Sequence, residues 1–244
     1  MTPAYEILLP GVPVSSGRGA LGWCSVVLLR RAGRTILFDT GSFGDRHLLL
    51  SRLGALGVAP EDVDLIFASH FHYDHVVNAE SFSCPIVLSE PERRYVEERG
   101  YLASKDPYVP LALIPFARER FVTIRDGEEL VPGLRAVVLP GHTPGTTGLL
   151  LADEGVLLAA DAVKNAWEFV RGESPPAFFS RETAPANYRR VRSLAQTIVP
   201  GHDSPFQIRA DGTVSYVSGA SVSIDSYAEP ASDPTRLEVL VNGS

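Results

Sequence analysis

Short apolar runs separated by polar, glycine- or proline-marked turns recur along the whole chain, and their lengths predict strands: Tyr5 to Leu9, Cys24 to Leu29, Thr35 to Phe38, Leu65 to Ala68, Ile86 to Leu88, Arg135 to Leu139, Thr147 to Leu151, Val156 to Ala160 and Thr197 to Val199. Longer segments with one apolar face predict helices between them. Arg46 to Leu56 carries leucines on one side, and Glu90 to Arg99 opens on a capping box of Ser89 and Glu92. Ala184 to Ala195 follows Thr183 as N-cap, with Pro185 tolerated in the first turn. Gln207 to Ser221 reads as a β-hairpin around Ala210-Asp211-Gly212. This alternation predicts an α/β sandwich, and 244 residues at 45% apolar content suffice for one domain spanning residues 1–244.

Two segments break the alternation. Gly100 to Arg118 holds Tyr101, Tyr108, Leu111, Leu113, Ile114 and Phe116 among three prolines; Val163 to Phe179 holds Trp167, Phe169, Phe178 and Phe179 with Pro175 and Pro176. Irregular apolar stretches need something to cover. They either roof a substrate pocket, with Tyr108, Trp167, Phe169 and Phe178 as its wall, or extend the core, or pack at a homodimer interface.

The chemistry lies at the ends of the predicted strands. Directly after Leu65-Ile66-Phe67-Ala68 comes Ser69-His70-Phe71-His72-Tyr73-Asp74-His75, three of the six histidines and a carboxylate in one loop. Extended backbone sends His70 and His72 to the same side, so they can share one ion. A helix starting near Asp74 would offset Asp74 and His75 from that pair and suit a second ion. Imidazole with carboxylate fits zinc or a similar first-row metal, whereas calcium or magnesium would take an all-oxygen set. His142 lies in Pro140-Gly141-His142-Thr143-Pro144-Gly145, Asp161 ends Leu157-Leu158-Ala159-Ala160-Asp161, His202 follows Ile198-Val199-Pro200-Gly201, and Asp39 follows Ile36-Leu37-Phe38.

Taken in order, HxHxDH, then His, Asp and His, preceded by Leu37-Phe38-Asp39-Thr40-Gly41, resembles the metallo-β-lactamase fold superfamily of hydrolases over about residues 23 to 208. The resemblance implies a four-layer αββα sandwich with two divalent metal ions. It assigns His70, His72 and His142 to the first, Asp74, His75 and His202 to the second, and Asp161 as the bridge. Asp39 matches the family's outer acid that accepts a ligand imidazole's other N–H. Zn2+ is the default; Fe, Mn, Co or Ni fit the same donors.

The ligands dictate the expected reaction. Two divalent ions about 3.5 to 4 Å apart hold a hydroxide between them and bring the pKa of water to about 7, so a small ester, lactone, thioester or phosphoester can be attacked at neutral pH. No GxSxG or GxxxxGK[ST] segment supports a serine hydrolase or P-loop reading. Asp161 stands where zinc β-lactamases of the cysteine-ligand type carry Cys, which argues against β-lactams. Glyoxalase II enzymes, thioester hydrolases of the family, carry a long helical C-terminal region, and only 42 residues follow His202 here. Quorum-signal lactonases resemble the chain in length and ligand set but usually place tyrosine three residues after the bridging Asp, where this chain has Lys164. Asp74 and Lys164 are the candidate catalytic residues: Lys164 either stabilises an oxyanion or grips a substrate anion, or is a solvated lysine at the mouth. Tyr73, inside the motif, is a further candidate for substrate contact. A non-hydrolytic iron-dependent redox or binding protein of the same fold is the reading from another class.

Charge and composition narrow the partners. A net charge of −7, with Arg189-Arg190-Val191-Arg192 as the densest basic run, argues against nucleic acid and leaves a small-molecule substrate. The chain shows no basic N-terminal segment leading an apolar core and no stretch of 18 apolar residues, so a cytoplasmic protein without a membrane partner is expected. Cys24 and Cys84 read as buried thiols, with a disulfide between them as the other reading. Two Gln, four Asn, Met at position 1 only and 19 prolines point to a thermophile, although two lysines against twenty arginines point to a GC-rich genome that would explain part of the same bias.

Overall fold

A computed structural model describes residues 5–17, 19–217, 220–226 and 235–241. Two sheets dominate. The first contains, in spatial order, strands Tyr5–Leu9, Val26–Arg31, Arg34–Phe38, Leu65–Phe67, Ile86–Ser89 and Phe121–Ile124. The second runs Val214–Tyr216, Phe206–Ile208, Thr197–Pro200, Val156–Ala160, Thr147–Leu151, Leu134–Val138 and Glu129–Val131. Spatial order follows chain order in each, so the two halves of the chain build one sheet apiece.

Alternation along the strands sets the layers. Val27, Leu29, Ile36 and Phe38 of the first sheet meet Leu149, Leu151, Leu158 and Ala160 of the second in a core between the sheets. The intervening residues face outward. Val26, Leu28 and Leu37 pack with Leu49 and Leu53 of helix Arg46–Ala55 and with Val96 of helix Glu90–Glu97. Leu150, Leu157 and Ala159 pack with Phe169 of helix Ala166–Arg171 and with Tyr188 and Val191 of helix Ala184–Leu194. The period of two puts successive side chains on opposite faces, which is why both sheets read as unbroken apolar runs and why the order of layers is α, β, β, α. This is the expected fold class.

Several details differ from expectation. The second strand begins at Val26 and continues to Arg31, and the helix after Ser89 ends at Glu97. The capping box there is half formed: Ser89 Oγ accepts from the Glu92 N–H at 3.4 Å, but the Glu92 carboxylate is drawn away to Phe71, Thr143 and Gly145. Thr183 sits in the αR region and donates to the Ser180 carbonyl instead of capping its helix. The irregular segments contain short helices at Gly100–Ala103, Ile114–Ala117 and Ala166–Arg171. Strands Phe121–Ile124 and Glu129–Val131 depart from expectation, since neither is a continuous apolar run: Val122 and Thr123 are exposed in the one and Glu129 in the other. The hairpin around Ala210-Asp211-Gly212 pairs Phe206–Ile208 with Val214–Tyr216; positions 218 and 219 of its expected span lie outside the described residues. Ala220–Ser226 and Thr235–Val241 form a further antiparallel pair. Cys24 and Cys84 are both buried and free, so the disulfide reading falls. Among the described residues no helix is long and apolar enough to cross a membrane.

Candidate metal centre

In the second sheet, Val156–Ala160 and Thr197–Pro200 are parallel, and Leu134–Val138 runs the same way two antiparallel steps along. Their C-terminal ends therefore share one rim, delivering Asp161, His202 and His142 to one place. The first sheet contributes the loop after Leu65–Phe67, where His72 is extended (φ −90°, ψ 152°) and starts the single helical turn Tyr73–Val76 that carries Asp74 and His75. Backbone bonds clamp the halves together at this rim: Thr147 N–H to Ser69 O at 2.8 Å and Ser25 N–H to Gly201 O at 2.7 Å. Gly201 is required here, because a Cβ on it would lie 2.0 Å from Asp161 Oδ1. Ala160, the residue before Asp161, is held at φ +46°, a strained conformation for a non-glycine.

Two trios of ligand atoms result. His70, His72 and His142 offer nitrogens within 4.8 Å of one another, and Asp74, His75 and His202 form a second group of the same kind. Asp161 lies between: Oδ1 is 3.4 Å from His75 Nε2 and 3.3 Å from His202 Nε2, while Oδ2 is 3.4 Å from His142 Nε2. His70 Nε2, His75 Nε2, His202 Nε2 and Asp161 Oδ1 are buried and make no hydrogen bond. An unmet buried polar group costs about 1–3 kcal/mol, more when charged. Four such atoms converging on one space, all of them imidazole or carboxylate, fit a first-row divalent metal centre.

Outer partners fix the rings. Asp39 accepts from His75 Nδ1 at 2.8 Å and from the backbone and hydroxyl of Ser69, each at 2.8 Å. His142 Nδ1 donates to the Pro176 carbonyl at 2.5 Å, and Ser69 Oγ lies 3.0 Å from His70 Nδ1. His72 Nε2 donates to Asp106 at 2.7 Å, leaving Nδ1 facing His142 Nε2 at 2.9 Å. Cys24 Sγ donates to the Asp74 carbonyl at 2.9 Å, and burial pushes its thiol up to about 12, so it is a neutral brace. Glu92, fully buried, accepts from Phe71 N–H at 2.8 Å, Thr143 Oγ1 at 2.6 Å and Gly145 N–H at 3.1 Å, tying the first histidine loop to the His142 turn.

The local field separates the histidines. Burial, then the neighbouring imidazoles of His75, His72 and His142, hold His70 well below its ordinary range, and burial takes His142 down to about 3. His75 moves the other way: burial opposes its charge, but the carboxylates of Asp39, Asp74 and Asp161 outweigh burial and raise it well above the ordinary value. Asp161 is held well below the usual carboxylate range, because His202, Lys164, His142 and His75 outweigh its burial.

A cavity of about 480 Å³ opens onto the trios. Asp74, Asp161, His72, His142 and His202 form part of its lining, as do Tyr73, Tyr108, Phe178 and Lys164. Lys164 Nζ lies 3.3 Å from Asp161 Oδ2 with its side chain 17% exposed, so it is a cavity group and not a solvated lysine. Trp167 and Phe169 do not belong to the wall. Helix Ala166–Arg171 turns Phe169 (1% exposed) onto Tyr188 and Phe206 in the core and leaves Trp167 (59% exposed) outside, stacked under Arg171. Contributors that sequence reasoning missed include Asp106, Glu92 and the Val12–Ser16 segment, which also lines the cavity. No motif marks Asp106, and Glu92 carried a competing capping signal.

Two stacked sheets with a buried His and carboxylate cluster on their common rim define an αββα protein whose rim can hold metal. The chain belongs to the metallo-beta-lactamase superfamily, whose family model matches residues 21–202. It is 30% identical over 163 residues to an N-acyl homoserine lactonase of Bacillus cereus, covering 64% of this chain and 62% of that protein. It thus spans less than two thirds of that relative's length. A metallo-beta-lactamase domain-containing protein 1 of Xenopus laevis is 27% identical, with 86% of this chain and 83% of that one covered. The crystal structure of a metallo-beta-lactamase family protein from Thermus thermophilus superposes with a TM-score of 0.56 at 27% identity, covering 83% of this chain and 74% of the other.

Proposed function

We propose that the protein is a dinuclear metal-dependent hydrolase that cleaves a lactone or small carboxylic ester with an apolar portion. The observation that carries this reading is the set of four buried atoms without a hydrogen bond, His70 Nε2, His75 Nε2, His202 Nε2 and Asp161 Oδ1, of which the last two belong to residues that line the cavity. His70, His72 and His142 would hold one ion, Asp74, His75 and His202 the other, and Asp161 both. Zinc is the default occupant for these donors. Such ions supply Lewis acidity to an acyl oxygen and lower the pKa of water towards neutrality.

The chain's own residues do the rest. Tyr73, Tyr108 and Phe178 offer an aromatic wall for the apolar part of the substrate, and the volume suits a small molecule. Lys164 stays charged, since Asp161 and Asp74 outweigh the burial that would lower it. Its ammonium, one side chain away from the bridging carboxylate, is placed to stabilise negative charge developing on the carbonyl oxygen. It stands three residues after Asp161, so a permanent cation does here what a hydroxyl would do in a tyrosine-bearing lactonase. The lactonase relative favours a cyclic ester. Lys164 also accommodates an anionic thioester or phosphoester, which makes those bonds the competing arms of the test.

That test is turnover of matched aryl ester, lactone, thioester and phosphoester substrates with and without chelator. The reading predicts chelator-sensitive hydrolysis with the lactone or ester preferred. Lys164→Ala should lower kcat/KM on the preferred substrate by about 100-fold, the scale of a lost oxyanion donor. Redox activity without hydrolysis would overturn the reading, and an unchanged kcat/KM in the variant would remove Lys164 from it.

A further inference from the structure

Behind the histidine trio lies a carboxylate that the metal sites do not use. Asp106 follows the short helix Gly100–Ala103, and its side chain is fully covered. Oδ2 receives two donors, His72 Nε2 at 2.7 Å and Tyr95 Oη at 2.9 Å; Oδ1 accepts the Tyr108 backbone N–H at 2.9 Å. Tyr108 is in turn bound to the metal loop, because its carbonyl accepts the Tyr73 N–H at 2.9 Å. Its ring lies 5.6 Å from His72 and 5.5 Å from Phe178.

We propose that Asp106 is a positioning residue that sets the ring tautomer of His72 and, through its second oxygen, fixes Tyr108 as the substrate wall. The inference rests on the metal-centre reading above and adds a coupling to it. An imidazole has two nitrogens and, when neutral, one proton. Asp106 is an acceptor in a dry setting, so it keeps the proton on Nε2 and leaves the Nδ1 lone pair for the ion shared with His70 and His142. Tyr95, itself hydrogen-bonded to Ser104 Oγ at 2.6 Å, holds the carboxylate in place. One carboxylate thereby links a metal ligand to the aromatic wall, and neither can shift without disturbing the other.

The experiment is zinc titration of the full chain against a chromophoric chelator, with long-range 15N NMR of the histidine rings in the zinc-loaded protein. In the wild type the His72 proton should sit on Nε2. Asp106→Asn should weaken one of the two zinc-binding steps about 10- to 100-fold, the range for a lost outer partner, with the other step unchanged and the His72 Nε2–H signal lost or displaced. Tyr95→Phe, which keeps Asp106, should weaken the same step by a smaller factor and serves if the first variant does not fold. Equal weakening of both steps together with a lowered Tm would make Asp106 a plain structural brace and overturn the proposal. So would wild-type zinc binding in both variants. A wild type that takes up no zinc would overturn this inference and the metal-centre reading together, whereas two-zinc uptake with unaltered variants would overturn this inference alone.

Discussion

The two halves of the candidate centre are chemically unequal. His70, His72 and His142 form an all-imidazole trio in which burial holds His70 and His142 neutral, so their nitrogens are ready to bind without losing a proton. Asp74, His75 and His202 form a mixed trio in which Asp39, Asp74 and Asp161 surround His75 and draw a proton onto it. The first half is prepared for a metal ion by desolvation; the second is prepared by charge and must exchange a proton for the metal. Asp161 faces both, with one oxygen directed to each side. Filling the two halves should therefore be sequential and should differ in pH dependence.

The largest expected effect comes from removing what the halves share. Asp161→Asn leaves a neutral amide where a carboxylate faces both trios; it should reduce zinc uptake from two ions to one or none and lower kcat/KM by more than the roughly 100-fold limit for outer partners. Retention of two ions with near-normal turnover would break the bridging account. Asp39→Asn should act chiefly on one half, since its link to the other runs through Ser69. It removes the charge from the partner of His75 Nδ1 and should weaken the mixed trio's binding step by about 10- to 100-fold, read by the same chelator competition, while the all-imidazole step changes less.

A smaller effect sharpens the electrostatic part of the comparison. Because the folded pKa of His75 lies above its ordinary value, the ring carries its proton at neutral pH in the metal-free chain, and the second ion must displace it. Affinity for that ion should rise with pH by about tenfold per unit while the proton is being displaced, and should flatten above the raised pKa. The first ion should show a shallower slope near neutrality, since burial keeps His70 and His142 from holding a proton there. Calorimetry in two buffers of different ionisation enthalpy measures the protons released at each step. Equal release in both steps would remove the distinction between the trios.

The same contrast explains how much was legible in the chain. The ligands could be located because each follows an apolar strand and is a residue type that strands do not need at their ends. The sheets were legible because alternation in Val26–Arg31, Arg34–Phe38, Thr147–Leu151 and Val156–Ala160 supplies two apolar faces at once. What failed was anything decided by contacts between distant segments. Asp106 is one aspartate in a turn until folding brings His72 to it across 34 residues, and Glu92 looks like a helix cap until Phe71, Thr143 and Gly145 claim its oxygens. Trp167 and Phe169 were placed together on the pocket wall as neighbours in an irregular stretch. Two residues apart in a helix they point to nearly opposite sides, so one enters the core and the other the solvent.

The central claim is that seven side chains, His70, His72, Asp74, His75, His142, Asp161 and His202, form a paired metal centre that drives hydrolysis. Elemental analysis of the purified chain after zinc reconstitution, with turnover of the preferred ester or lactone followed before and after chelation, tests it most directly. The account predicts about two zinc ions per chain, activity abolished by the chelator and restored by zinc. No bound metal after reconstitution, or hydrolysis indifferent to the chelator, would contradict it.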